Sequence, residues 1–163
     1  RVEHNTPYPM VGHVLYDRLH IGTYLGFGLD YTGACAALTL GGVLDDFPNL
    51  RFMFFEAGAT WMTYAMLGAD RSFYIEPACS RTKNLPSDLI KKHCFTAVEN
   101  LEPLDQLVEV YGANNFVIGT DYPHPEFQRL PNAPGDVTNS KKLSDEDKAK
   151  ILGGNIARAL KLD

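Results

Sequence analysis

An aspartate and a histidine stand three residues apart in Gly119-Thr120-Asp121-Tyr122-Pro123-His124-Pro125, directly after the apolar run Asn115-Phe116-Val117-Ile118. A carboxylate can ligate a cation or move a proton, an imidazole can do either near neutral pH, and the prolines flanking His124 stiffen the loop that carries both. A second run, Leu50-Arg51-Phe52-Met53-Phe54-Phe55, ends on Glu56 and then on Ala57-Gly58-Ala59-Thr60, which opens the next helix. Buried parallel strands present their chemistry at their carboxyl ends, so Asp121 and Glu56 are candidate catalytic acids. Each has a plainer role available. Asp121 can be a turn acid before Pro123, and Glu56 can cap the helix after it, whose amino end favours negative charge.

The elements that must position these acids alternate. Arg1-Val2-Glu3-His4 reads as the last residues of a strand, followed by a Pro- and Gly-rich loop from Asn5 to Gly28, long enough for a lid. Asp30 is placed to cap a helix with Tyr31, Ala34, Leu38 and Gly41 or Gly42 on one face, stopped by Asp46-Phe47-Pro48-Asn49. After the strand to Glu56, a helix is expected over Trp61 to Asp70, an irregular stretch over Ser72 to Ser87, and a short strand over His93-Cys94-Phe95-Thr96-Ala97-Val98. Pro103 suits a helix start, Leu104, Leu107, Val108 and Tyr111 share a face, and Gly112 can end it. A polar loop from Pro123 to Lys142 precedes a capping box at Ser144 and Asp147. Leu152, Ile156 and Leu160 are expected to bury the last helix despite Gly153 and Gly154. Strand and helix in strict alternation predict parallel strands joined by right-handed crossovers. Two architectures fit: an open doubly wound sheet, for which no glycine-rich phosphate fingerprint is present, and half of a (β/α)8 barrel.

Composition narrows the partners. With 163 residues, 45% hydrophobic and 21% charged, the chain fits a single domain over 1–163 with a sizeable core. A net charge of −5, with basic residues scattered, gives no footprint for nucleic acid or an anionic membrane, and favours a small-molecule substrate. Cys35, Cys79 and Cys94 are odd in number and lack C-x-x-C spacing, which points to a reducing cytoplasm rather than a disulfide framework. The apolar stretch from Ala34 to Leu44 is too short to span a bilayer.

Four segments together strongly resemble one family: Gly41-Gly42-Val43-Leu44-Asp45-Asp46-Phe47-Pro48-Asn49-Leu50-Arg51-Phe52, then Glu56-Ala57-Gly58 with Trp61, then Gly119-Thr120-Asp121-Tyr122-Pro123-His124, then Gly153-Gly154-Asn155-Ile156-Ala157. They resemble the carboxyl-terminal half of the amidohydrolase-related family, in the branch that includes aminocarboxymuconate-semialdehyde decarboxylase. The resemblance implies an α/β fold, strands five to eight of a metal-dependent hydrolase-type (β/α)8 TIM barrel, with strands one to four absent from a chain that opens on Arg1. It also implies a divalent metal, usually zinc, held by a histidine after strand five and an aspartate after strand eight. Asp121 matches that aspartate. His4 stands where the histidine is expected, with His13 and His20 as alternatives.

Strand six departs from the family pattern, placing Glu56 where the best-understood decarboxylases carry histidine. A carboxylate there suits water activation, so the leading expectation is hydrolysis of a small carboxylated or cyclic substrate by metal-activated water. Non-oxidative decarboxylation, a carbon–carbon lyase reaction, is the alternative. A third possibility is a non-catalytic fragment that needs the missing barrel half or a second copy of itself. His124 and Trp61 are the candidate substrate contacts. Trp61 belongs with Tyr64, Phe73 and Tyr74 to an aromatic set that either floors a pocket or packs in the core.

Overall fold

The computed structural model describes residues 19–120, 122–123 and 133–162. Its centre is three short parallel strands in the order β1, β2, β3: Phe52–Phe54, Cys94–Val98 and Phe116–Ile118. Phe54 lies level with Thr96, which lies level with Phe116, and Val98 lies level with Ile118. All three strands run the same way, as alternation of apolar runs with helical segments requires. The further strand expected at Arg1 to His4 lies outside the described residues.

Every residue of β2 is buried, the mark of a central strand covered on both faces. On one face Phe54 and Cys94 pack with Cys35, Trp61, Met62, Ala65, Met66 and Ile90, and farther along Val98 and Phe116 pack with Leu104, Leu107, Val137, Leu143 and Ile151. The alternate residues Phe95, Ala97 and Val117 form a smaller cluster on the other face with Met53, Ile156 and Ala159.

Helix α1 runs Leu19–Thr39, so the expected loop to Gly28 is helical from Leu19 and Asp30 lies within the helix rather than at its cap. Glycines at 22, 26 and 28 are poor helix formers. Packing overrides that preference: Tyr31, Ala34, Cys35 and Leu38 all reach the core that Trp61, Met62, Ala65 and Met66 line. α1 also stops before Gly41, and a short α2, Val43–Asp46, follows. α3 spans Trp61–Ile75, longer than expected, and the irregular stretch beyond it contains a 3-10 turn at Pro77–Cys79 and a helix α4, Pro86–His93. Pro86 supplies the first-turn proline that marks the start of α4.

α5, Leu104–Tyr111, buries Leu104 and Leu107 and ends on Gly112 at φ 75°, as read from the sequence. Within the stretch expected as polar loop, Ala133–Asn139 forms α6. Ser144 does cap α7, Asp145–Ala149, its hydroxyl accepting the Asp147 amide at 3.1 Å. The chain then widens into a π-helical turn, Lys150–Gly154, before α8, Asn155–Leu160. The extra residue in that turn rotates the apolar face. Ile151 is therefore buried at 1% exposure, whereas Leu152 and Leu160, expected in the core, are 42% and 54% exposed.

Two asparagines fasten the amino edge of the sheet. Asn115 Nδ2 donates to the carbonyls of Lys91 and Cys94, both at 2.7 Å, joining the end of α4 and the start of β2 to β3. Asn155 Nδ2 donates to Ala113 and Phe116, again both at 2.7 Å, joining α8 to β3. His93, expected at the start of the strand, instead ends α4 and is fully buried at the same edge, with Nδ1 2.9 Å from the Leu50 carbonyl and 3.2 Å from Arg51 Nη1.

Candidate active site at the carboxyl edge of the sheet

Parallel strands release their chains at one edge, so Phe55-Glu56, Glu99-Asn100 and Gly119-Thr120 leave the sheet on the same side. The outer two exits meet across β2. A Cβ placed on Gly119 would lie 3.4 Å from Ala97 Cβ and 3.5 Å from Phe55 Cδ1, so the Phe55 ring reaches the exit of β3, two residues before Asp121. Asp121 itself, His4 and His124 lie outside the described residues. Among the described residues, the rim groups are Glu56, Glu99, Glu102 and Tyr31.

Glu56 is exposed and has φ 68°, in the left-handed region. A non-glycine residue there costs on the order of 1–2 kcal/mol, and such residues concentrate at functional sites. The helix-capping role open to Glu56 is filled by a different acid. Glu102 Oε1 accepts the amides of Ala59 at 2.7 Å and Thr60 at 2.9 Å, the entry to α3, while its Oε2 accepts the Glu99 amide at 2.9 Å. Gly58 makes room for this carboxylate: its φ is 64° and a Cβ there would lie 2.6 Å from Glu102 Oε1. Glu56 is left without a hydrogen-bond partner among the described residues.

Trp61 is nine-tenths buried, its indole N–H pointing at the Gly58 carbonyl at 2.9 Å and Thr96 Oγ1 at 3.2 Å. Thr96 in turn donates to the Gly58 carbonyl at 2.7 Å. The ring thus sits in the core between Tyr31 and Phe54, with centroids 5.5 and 5.1 Å away, and bears on the rim through the turn it holds. Tyr64 and Tyr74, expected with it, are 68% and 70% exposed on the outside of α3.

Tyr31, which sequence reasoning placed only on a helix face, donates its hydroxyl to the Phe55 carbonyl. Burial, then the charge of Glu56, and more weakly that of Glu99, hold its phenol above the usual tyrosine range, against the opposing pull of the Phe55 bond. Both acids therefore lie close enough to act on one hydroxyl. Glu99 follows a strand end just as Glu56 does, and that rule was the signal by which it could have been found. Its place shortly before Pro103, read as a helix start, hid it.

Among the described residues no group of three or more His, Cys, Asp or Glu side chains gathers as a metal site. Glu56 and Glu99 offer carboxylate oxygens suited to a hard cation but do not complete a shell. The described donors alone do not make a metal centre.

Comparison with known proteins agrees with this architecture. The sequence model of a family described as Amidohydrolase matches residues 14–162. A 2-amino-3-carboxymuconate-6-semialdehyde decarboxylase of Dictyostelium discoideum is 28% identical over 161 residues, covering 96% of this chain and 44% of that protein. The chain thus spans less than half the length of this curated relative. Among solved structures, an amidohydrolase of Mycobacterium avium subsp. paratuberculosis superposes with a TM-score of 0.76 at 18% identity, over 91% of this chain and 39% of that one. A 5-carboxyvanillate decarboxylase of Sphingomonas paucimobilis gives 0.59 at 23% identity, over 85% and 42%. These two likenesses are of fold.

Proposed function

The chain belongs to the amidohydrolase family, and from that premise we propose that it supplies part of a metal-dependent site which removes carbon dioxide from a small carboxylated substrate without oxidation. The observation that carries this reading is the similarity to a decarboxylase along 96% of the chain. In such a reaction the bond from carbon to carboxylate breaks, its electron pair stays on carbon, and a proton replaces the departing group. Glu56 or Asp121 is the residue that moves this proton, and His124 meets the substrate. Trp61 contributes by fixing the Gly58 turn beneath it. His4 and Asp121 are the residues that would hold a divalent ion, zinc by family resemblance. The ion would supply Lewis acidity.

Hydrolysis is the second reading, favoured by one feature: Glu56 is exposed and relieved of capping by Glu102. There the same carboxylate takes a proton from the attacking water. In either case the site is completed from outside the described sheet. β1 and β3 each pair on one side only among the described residues, so the remaining strands of a (β/α)8 barrel or a second copy of the chain is the natural neighbour. A reducing cytoplasm suits its three free thiols.

The test is metal analysis of the purified protein after zinc loading, alone and with the part of the relative it does not cover, followed by a screen of aromatic and unsaturated carboxylates. Stoichiometric zinc and release of carbon dioxide are expected. Product without carbon dioxide would select hydrolysis, and absence of both zinc and turnover in the completed assembly would overturn the proposal.

A further inference from the structure

The geometry points to Tyr31 as a positioning residue of this site, whose hydroxyl holds the Phe55–Glu56 peptide so that Glu56 keeps its left-handed backbone and presents its carboxylate at the carboxyl edge. The inference rests on the reading of Glu56 as a residue that moves a proton.

Three observations carry it. The hydroxyl of Tyr31 bonds the Phe55 carbonyl, the peptide group immediately before the residue with φ 68°. That bond spans 24 residues, from α1 to the exit of β1, so it is a tertiary tether and not part of a local turn. The ring is itself fixed in place by Phe54 at 5.0 Å, Trp61 at 5.5 Å and Phe27 at 6.4 Å between centroids. A rigid aromatic wedge therefore ends in one polar atom, and that atom holds the peptide next to the acid. A left-handed glutamate is disfavoured on its own and persists only where its surroundings over-determine it. Glu102 secures the turn after Glu56 through Ala59 and Thr60, and Tyr31 secures the peptide before it.

The charges agree with this arrangement. Glu56 and Glu99 both disfavour an ionised Tyr31, so the phenol stays a neutral donor and its proton remains available to the Phe55 carbonyl. Phenylalanine at position 31 would keep the ring contacts and remove only that donor.

Two readouts on the purified protein need no turnover. In Tyr31→Phe, the backbone coupling constant and Cα chemical shift of Glu56, measured by NMR, should move from left-handed values toward those of an ordinary extended residue. Unchanged values overturn the inference. In Glu56→Gln, ionisation of the labelled Tyr31 ring should shift to lower pH as a neighbouring negative charge is lost, and an unmoved titration would refute the juxtaposition even if the first variant folds poorly. On a substrate found in the carboxylate screen, Tyr31→Phe should lower kcat by roughly 5- to 10-fold, the worth of one hydrogen bond, with little change in KM. It should have no further effect in a Glu56→Gln background. Glu56→Gln retaining full activity would defeat the proposed role of Glu56. A loss in Tyr31→Phe that persists undiminished in that background would defeat Tyr31 acting through Glu56.

Discussion

Removing the Glu102 carboxylate should destabilise the fold by about 3 kcal/mol, because its three amide partners differ in what replaces it. Ala59 is fully buried, so its amide has no access to water once the 2.7 Å bond to Oε1 is gone. An orphaned buried donor costs about 1–3 kcal/mol. Thr60 and Glu99 are exposed and can rehydrate, so each loses only the net value of a solvent-exposed capping bond, roughly 0.5–1 kcal/mol. For a chain of this size, 1 kcal/mol moves the melting midpoint by about 2–4 °C, so Glu102→Ala should melt roughly 9 °C below the parent in calorimetry. The companion variant Gly58→Ala suffers twice, from a φ of 64° and from a Cβ 2.6 Å from Oε1. Truncating Glu102 removes the second cause and leaves the first, about 1 kcal/mol. The two losses should therefore add to less than their sum, with a coupling of about 1 kcal/mol or more in a double-mutant cycle. A Glu102→Ala variant within ~0.5 kcal/mol of the parent, or strictly additive losses, would refute the assignment of Glu102 as the anchor of this turn.

The π-helical turn makes a simple comparison possible: Ile151→Ala should cost about 2–5 kcal/mol in urea unfolding and Leu152→Ala less than ~1, and the reverse order would restore the uninterrupted helical face. Asn155→Ala should cost about 2–4 kcal/mol by orphaning two buried carbonyls, with Asn155→Asp at least as damaging because it offers acceptors where donors are needed. Lys142 donates to Asp105 at 2.5 Å and holds that carboxyl below its usual range. The stabilisation linked to this shift is present above the carboxyl's unfolded pKa, near ~3.9, and is lost as pH falls through the lower folded value. Lys142→Met should therefore move the Asp105 NMR titration upward and remove that contribution from the acid limb. Asp121→Asn keeps volume and loses charge, so it should weaken zinc retention and turnover together; full zinc content in that variant would give Asp121 a different task.

What was legible in the sequence follows from the range over which each signal acts. The strands at Phe52–Phe54 and Phe116–Ile118, the Leu104–Tyr111 helix with its Gly112 end, and the Ser144 cap are all local. Each is written in a few neighbouring residues. The amino part of α1 was hidden because its glycines argue against a helix, and the contacts that hold the helix enter farther along it, where Tyr31 meets Phe54 and Trp61 more than twenty residues away. The burial of Ile151 in place of Leu152 was hidden because periodicity assumes an uninterrupted helix, and one π turn shifts every later residue. At the rim, the position of Glu56 after a strand end was legible. Tyr31 and Glu102 were not, since one reaches the rim by a bond spanning 24 residues and the other by bonds spanning 42 and 43.

The separation of the two edges of the sheet bears on how such a protein can change through descent. Asn115, Asn155 and His93 tie strands and helices together at the amino edge, far from where the acids emerge. At the opposite edge Glu102 assumes the capping duty that a residue at position 56 would otherwise owe its helix. Position 56 is consequently exposed to selection on chemistry with little at stake for folding. A change of side chain at position 56 leaves the Glu102 bonds at the entry to α3 in place, so the chemistry offered at this rim can vary by a single heritable step while the scaffold stays as it is.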